Sequence, residues 1–264
     1  MNTEKVKEYI ANWLSNYVET SKTKGFVIGI SGGIDSAVTS TLAAETGLPV
    51  LCIEMPIHQD KSQMNRGQNH IEWLSKKYTN VLRVKTDLTS VFDLFSKAVN
   101  HSDNKELDFL SLANSRARLR MTTLYHYAQI NSFLVLGTGN KVEDFGVGFY
   151  TKYGDGGVDV SPIADLVKTE VFALGKHLNV VDEILKAAPT DGLWGDERTD
   201  EDQIGASYPE LEWAMKTVEK ANIDFTAFTT REQQVFEIYT RLNTINQHKM
   251  DAIPVCKIPL EVRT

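Results

Sequence analysis

From Gly25 to Ser36 the chain reads Gly-Phe-Val-Ile-Gly-Ile-Ser-Gly-Gly-Ile-Asp-Ser, an apolar stretch that runs into a glycine turn and out into a helix-forming segment. Phe26, Val27, Ile28 and Ile30 supply a short buried strand, and Ser36-Ala-Val-Thr-Ser-Thr-Leu-Ala-Ala44 supplies the helix. The turn between them, Ser31 to Asp35, suits an anion. Gly32 and Gly33 let backbone N–H groups approach closely, and the helix N-terminus adds its dipole and unpaired donors. A Walker A loop would carry Gly-Lys-Ser/Thr after its spacer, and no lysine follows these glycines. Asp35 stands there instead, and a carboxylate beside a polyphosphate is tolerated only where Mg2+ bridges the two. The bland alternative is a tight βα turn whose glycines serve packing.

Further strand signals follow at Leu48–Ile53, Val81–Val84 and Phe133–Leu136, with helical spacing over Asp60–Tyr78, Leu88–Val99 and Leu107–Ile130 between them. Strands alternating with helices predict an α/β fold, a doubly wound, mainly parallel sheet with helices on both faces, whose ligands gather at the carboxyl ends of the strands. Residues 1–264 read as a single domain. The opening segment, Met1 to Ile10, mixes acids with apolar residues and suits an amphipathic helix rather than a signal peptide. Gly137, Gly139, Gly146, Gly148, Gly154, Gly156 and Gly157 crowd residues 137–161 too densely for a helix and predict a mobile lid. Beyond it the pattern predicts a helix over Ala164–Leu178, a polar loop over Pro189–Ser207 with Gly192 and Gly195, helices over Tyr208–Ala221 and Thr230–Gln247, and an irregular tail with Pro254 and Pro259.

Charge and cysteine usage narrow the function classes. A net charge of −7 with a pI near 5.4 disfavours broad contact with a nucleic-acid backbone. No apolar run approaches the roughly 20 residues that a membrane helix needs. Cys52 and Cys256 form neither a disulfide framework nor a Cys-x-x-Cys motif, which fits a reducing cytoplasm.

Ser31-Gly-Gly-Ile-Asp-Ser36 resembles the pyrophosphate loop of ATP pyrophosphatases, which cleave ATP between the α and β phosphates to adenylate a substrate. Four later stretches extend the likeness: Asn114-Ser-Arg-Ala-Arg-Leu-Arg-Met121, Gly137-Thr-Gly-Asn-Lys-Val-Glu-Asp144, Thr151-Lys-Tyr-Gly-Asp-Gly-Gly157 and Gln247-His-Lys-Met250. In this order, over residues 25 to 250, they resemble the NAD synthetases, with Lys152 to Gly157 the most specific part. The resemblance implies an adenine nucleotide α-hydrolase-like fold and conversion of the carboxylate of deamido-NAD (nicotinic acid adenine dinucleotide) to the carboxamide of NAD, with ATP, Mg2+ and ammonia or glutamine. A carboxylate does not accept ammonia directly, because oxide is a hopeless leaving group. It first attacks the α phosphate of ATP, giving an acyl-adenylate and pyrophosphate.

Carried over residue by residue, the resemblance implies ATP contacts at Gly29, Ile30, Ser31, Gly32, Gly33, Ile34, Asp35, Ser36, Thr138, Lys168 and Thr190. It implies Mg2+ on Asp35 and Glu143, and deamido-NAD on Asn114, Arg118, Lys152, Asp159, His248 and Lys249. Asp155, at the tip of the Gly-rich turn, is the candidate catalytic residue, orienting ammonium and helping to deprotonate it. Helical spacing sets Asn114 and Arg118 on one face beside the apolar stripe Leu110, Ala113, Ala117, Leu124 and Ala128, while Arg116 and Arg120 read as exposed. One departure concerns register: about one residue more than the common family pattern separates Glu143 from Lys152, which leaves Asp144 as a rival metal ligand.

Some family members carry an amino-terminal nitrilase-like glutaminase domain. About 24 residues precede the first strand here, and neither cysteine has a fitting context, so the expectation is free ammonia and a homodimer. The rivals are a GMP synthase-like amidotransferase on the same loop, which should lack Lys152 to Gly157, and a non-catalytic adenine-nucleotide sensor, which the acids Asp35 and Glu143 argue against. A tRNA-modifying enzyme ranks third because of the acidic pI.

Overall fold

The computed structural model describes residues 1–59, 61–190 and 199–263. At its centre lie β1 (Phe26–Gly29), β2 (Val50–Glu54), β3 (Val81–Lys85) and β4 (Leu134–Val135), ordered β3-β2-β1-β4 and parallel at every pairing. Phe26 faces Val50 on one side and Leu134 on the other, so β1 is covered on both edges. Side chains alternate across a strand. Phe26 and Ile28 accordingly join one core and Val27 the opposite one, all three with no exposed surface. Burial on both faces is why β1 and β2 read as continuous apolar runs rather than alternating ones.

The chain winds outward from β1 through β2 to β3, then crosses back to place β4 on the far side of β1. That reversal opens a crevice between the carboxyl ends of β1 and β4, where ligands of such sheets bind. The connecting helices are α1 (Thr3–Ser21), α2 (Ile34–Glu45), α3 (Lys61–Lys77), α4 (Thr89–Ala98) and α5 (Lys105–Asn131). After β4 come α6 (Lys168–His177), α7 (Asp182–Leu185), α8 (Asp200–Ile204), α9 (Tyr208–Val218) and α10 (Thr230–Met250). Helix α2 packs against α1, α3, α6 and α7 and is buried from Ser36 to Ala44. Its small Ala, Ser and Thr side chains allow that closeness. The hydroxyls of Ser40 and Thr41 both return to the Ala37 carbonyl, at 3.1 and 2.7 Å, which leaves little polar surface to satisfy. A third core lies beneath α9 and α10, from Val142 and Val147 to Leu211, Val235 and Tyr239.

The fold class follows the sequence expectation, and the strand positions differ by a residue or two. Three segments differ more. The glycine-rich stretch after β4 is not all loop: Val142–Val147 form a π-helix. Asn140 starts it by accepting the N–H groups of Val142 and Glu143 on Oδ1, at 3.1 and 3.2 Å, and Gly148 ends it at φ 65°. The π turn carries both Glu143 and Asp144, the two acids whose register the sequence leaves open. Helix α6 starts at Lys168, four residues later than the spacing predicted from Ala164, and α7 was not foreseen. Helix α8 lies within the predicted loop Pro189–Ser207; Thr199 caps it, with its hydroxyl accepting the Asp202 N–H and the Asp202 carboxylate accepting from Thr199. Gly192 and Gly195 of that loop, and Asp60 at the start of a predicted helix, lie outside the described residues.

Candidate active site

The turn after β1 has the form an anion needs. Gly32 sits at φ 83°, a left-handed conformation that a Cβ would strain. Gly33 caps α2 without a side-chain hydrogen bond, so the N–H groups of the first turn remain for a ligand. Behind the loop, the Ser31 and Ser36 hydroxyls lie 3.0 Å apart and Ser36 Oγ donates to the Gly33 carbonyl at 3.1 Å. Ser36 is buried and braces the turn from inside, rather than lining the cleft. Arg66, on α3, holds the outer side through Nε to the Gly32 carbonyl at 3.4 Å.

Below the loop, Lys168 Nζ donates to Asp35 Oδ2 at 2.5 Å and to Glu143 Oε1 at 2.9 Å. The three side chains come from α6, α2 and the π-helix, and Lys168 is 2% exposed. Tyr208, the first residue of α9, donates its hydroxyl to Glu143 Oε1 at 2.5 Å, and Asn140 Nδ2 donates to Asp35 Oδ1 at 3.3 Å. Burial raises Glu143, but the Lys168 charge and the Tyr208 and Lys168 hydrogen bonds outweigh it and hold the carboxyl below the ordinary glutamate value. Burial works against the Lys168 charge too; Asp35 and Glu143 overcome it and keep the ammonium protonated. Asp35 is pushed upward, chiefly by burial. Glu143, not Asp144, therefore meets Asp35 across a shared cation. Asp144 turns to Gly139, where a Cβ would come within 2.1 Å of its Oδ1, and burial with the neighbouring acids pushes it up to about 8.

The Thr151–Gly157 turn folds over the cleft. Its hydrogen bonds run from Gly154 and Gly156 N–H to the Thr151 carbonyl, and Asp155 Oδ1 accepts the Thr151 N–H at 3.0 Å. Asn114, on α5, accepts the Thr151 hydroxyl at 2.6 Å and ties the turn to that helix. Asp155 keeps open surface toward the cleft, and desolvation there pushes its carboxyl above the usual range. Lys249, on α10, donates to the Gly148 and Tyr150 carbonyls at 2.8 and 2.9 Å.

Two adjoining cavities, of about 220 and 450 Å3, fill the crevice. The smaller is largely apolar, with Met55, Leu124, Leu136 and Val158 around Gly29 and Ile30, and has the character of a base pocket. The larger holds Gly32, Gly33, Ile34, Asp35, Glu143, Lys168, Thr190, Asn114 and Lys249. Ser31, Thr138 and Asp155 line both. Arg118, Lys152, Asp159 and His248 lie outside these walls. Arg118 reaches the Lys152 carbonyl at 3.4 Å, Lys152 reaches the His248 carbonyl, and Asp159 accepts from the Tyr125 hydroxyl at 3.0 Å and from Val135 N–H at 2.8 Å.

Arg120 corrects the sequence reading. It is not an exposed arginine but part of the wall between the cavities, with Nε on the Met55 carbonyl at 3.1 Å and Nη2 on Gln59 Oε1 at 2.8 Å. Burial, with Arg116 nearby, lowers it to about 10. The stripe Ala113, Ala117, Leu124, Ala128 already contains the signal, since position 120 falls on the same helical face. Arg116 is not solvated either: its guanidinium lies over the Phe92 and Phe109 rings, 5.7 and 5.8 Å from their centroids. Tyr208 and Asn140 were also missed, and for Tyr208 no local pattern points to the site.

A family model described as NAD synthase matches residues 6–252. The NH(3)-dependent NAD(+) synthetase of Mycoplasma genitalium is 40% identical over 215 residues, 81% of this chain and 84% of that protein. Among solved structures, the NMN synthetase from Francisella tularensis superimposes with a TM-score of 0.84 at 30% identity, covering 98% of this chain and all of that one. The NH3-dependent NAD synthetase from Campylobacter jejuni, solved with a nitrate ion, gives 0.78 at 26% identity over 97% of this chain and all of that one.

Proposed function

This chain belongs to the NAD synthase family and is an ammonia-dependent C–N ligase that forms NAD with ATP as co-substrate, and from that premise we propose how its residues divide the work. The adenine base occupies the apolar cavity beside Met55 and Leu124, and the phosphates lie on the Ser31–Gly33 turn at the start of α2. The nicotinate carboxylate enters the larger cavity between Asn114, Arg120 and Lys249 and attacks the α phosphorus. The α–β bond breaks and pyrophosphate departs. Ammonia then attacks the acyl carbon, AMP leaves, and the proton released from nitrogen passes to Asp155, whose raised proton affinity suits a base. The turn around Asp155 excludes water that would hydrolyse the adenylate.

The observation that carries this reading is the meeting of Asp35 and Glu143 on one cation beside the phosphate turn. Two carboxylates that already share the Lys168 ammonium form a donor set that fits Mg2+, with phosphate oxygens and water completing a hard shell. When bound, the metal supplies charge neutralisation for the departing pyrophosphate. Thr138 holds phosphate oxygens from the protein side, and Lys168 acts on that site through Asp35 and Glu143.

Arg118 on α5, His248 on α10 and Lys152 in the Thr151–Gly157 turn stand beside this cleft, with exposed Leu107 and Leu110 on α5 and Ile245 on α10. They suit a homodimer in which the far end of the dinucleotide lies near the interface, with Asp159 toward it. The chain is one catalytic unit, and its free thiols suit the cytoplasm. Among the described residues no helix is long and apolar enough to cross a membrane.

The Francisella tularensis relative favours a second reading of the substrate, nicotinate mononucleotide in place of the dinucleotide. One assay separates the two. Deamido-NAD and nicotinate mononucleotide, each labelled with 18O in the carboxylate, are supplied with Mg-ATP and either ammonium or glutamine. The expected result is NAD from ammonium alone, with AMP carrying one 18O, and a higher kcat/KM for the dinucleotide. ADP and phosphate as products would overturn the adenylate, and preference for the mononucleotide would select the second reading. In the same assay Asp155→Asn lowers amide formation about a hundredfold with ATP binding unchanged; unaltered turnover removes Asp155 from the chemistry.

A further inference from the structure

Asp35 and Glu143 are crowded with donors before any ligand arrives. Asp35 takes Lys168 on Oδ2 and Asn140 on Oδ1, while Lys168 and Tyr208 converge on Glu143 Oε1. Side-chain exposures of 18% and 16% for the two acids, against 3% for Lys168, put the ammonium behind the carboxylates and the cleft in front of them. The lysine is not free to swing away: its ammonium lies 4.8 Å from the Tyr208 ring centroid, and its backbone starts α6. An acid pair of charge −2 is thereby reduced to −1, with at least one oxygen of each carboxylate already engaged. Hard divalent cations depend on the number and charge of the oxygens offered to them.

We propose that Lys168 makes the Asp35–Glu143 pair a poor site for a free divalent cation, so that the metal enters only as its complex with the nucleotide. The nucleotide restores what the lysine removes, because its phosphates bring further oxygens and negative charge to the front of the pair. Binding is therefore ordered. The arrangement also spares an open, acid-lined cleft from being filled by metal alone, in a geometry that would then have to be rebuilt around ATP. Lys168 acts here as a positioning and charge-setting residue. This inference rests on the reading of Asp35 and Glu143 as the Mg2+ pair.

Mn2+ titration followed by electron paramagnetic resonance tests it without any turnover. With wild-type protein and Mn2+ alone, the free-ion signal should persist undiminished; adding ATP, without the second substrate, should produce a protein-bound Mn2+ spectrum that Glu143→Gln abolishes. Lys168→Met should bind Mn2+ alone about tenfold or more tightly than wild type, and adding Glu143→Gln should remove the gain. Tight, Glu143-dependent binding of Mn2+ by wild-type protein without nucleotide would overturn the proposal by itself, so a variant that fails to fold does not shield it. A folded Lys168→Met protein with no gain would overturn it as well. If Glu143→Gln and Asp35→Asn leave the Mn2+–ATP spectrum intact, the metal pair itself is misassigned and both readings fall together.

Discussion

Two sets of charged side chains serve the same cleft and are built on opposite plans. Asp35, Glu143 and Lys168 are sunk beneath the phosphate turn, bonded at 2.5 and 2.9 Å, and Tyr208 closes the set from α9. Arg118, Lys152 and His248 stand at the rim, and their polar contacts run to backbone carbonyls rather than to carboxylates among the described residues. In the floor each charge depends on another, so removing one strands the rest. At the rim the charges of Arg118 and Lys152 meet no carboxylate among the described residues and can be offered to an anionic ligand. The floor therefore couples function to stability, and the rim separates them.

The sharpest way to break that distinction is Lys168→Met. Methionine fills the space but leaves two carboxylates buried together, and loss of one member of such a group destabilises by about 3–5 kcal/mol. Urea unfolding should show the loss as a lower midpoint at unchanged slope. A change below about 1 kcal/mol would mean that the acids protonate or take up water at little cost, and the floor would then be no more coupled than the rim.

A smaller effect, and one that tracks pH, is expected from His70. It lies wholly buried between α3 and α2, 2.9 Å from Ser40 Oγ and stacked on Trp73, behind the phosphate turn. Ser40 spends its proton on the Ala37 carbonyl, so His70 donates from Nε2, and its Nδ1 has no partner among the described residues. Burial lowers His70 to about 4, below the ordinary value of 6.5. The unfolded chain takes up a proton first as pH falls. Stability from this group is thus complete above about pH 6.5 and lost progressively down to about pH 4, by about 3 kcal/mol in all. Urea midpoints at a series of pH values should show this slope, and His70→Gln should flatten it. A slope that survives the substitution would assign the acid sensitivity to other groups.

How much of this contrast the sequence carried depends on how far apart the contributing residues lie. The strand β1 and its turn were legible because the apolar run, the glycines and Asp35 are contiguous. Glu143 was reached through a resemblance, since a lone loop acid carries no signal of its own. Lys168 was assigned to ATP, but its hold on Asp35, 133 positions away, and on Glu143, 25 away, exists only after α6 packs on α2. Tyr208 has no local mark at all; it is an apolar-looking residue at a helix start until the fold brings it 65 positions back to Glu143. Arg120 was legible in principle and misread in phase. Glu143 and Asp144 sit in a π turn that no spacing rule for α-helices contains, so spacing alone does not tell which of them faces Asp35.

The smallest effect tests the rim. Arg118→Ala removes an exposed guanidinium whose hydrogen bonds to the Lys152 carbonyl are long, at 3.4 Å, so folding stability should change by less than about 0.5 kcal/mol. If the guanidinium charge serves an anionic nucleotide, the KM for the nicotinate substrate should rise about tenfold, the KM for ATP should not move, and the wild-type advantage should shrink as salt screens it. Steady-state kinetics at two salt concentrations, beside a urea titration, reads all three. A stability loss of 1 kcal/mol or more would place Arg118 with the floor, as a clamp on the Thr151–Gly157 turn; unchanged KM values with unchanged stability would remove the rim from binding altogether.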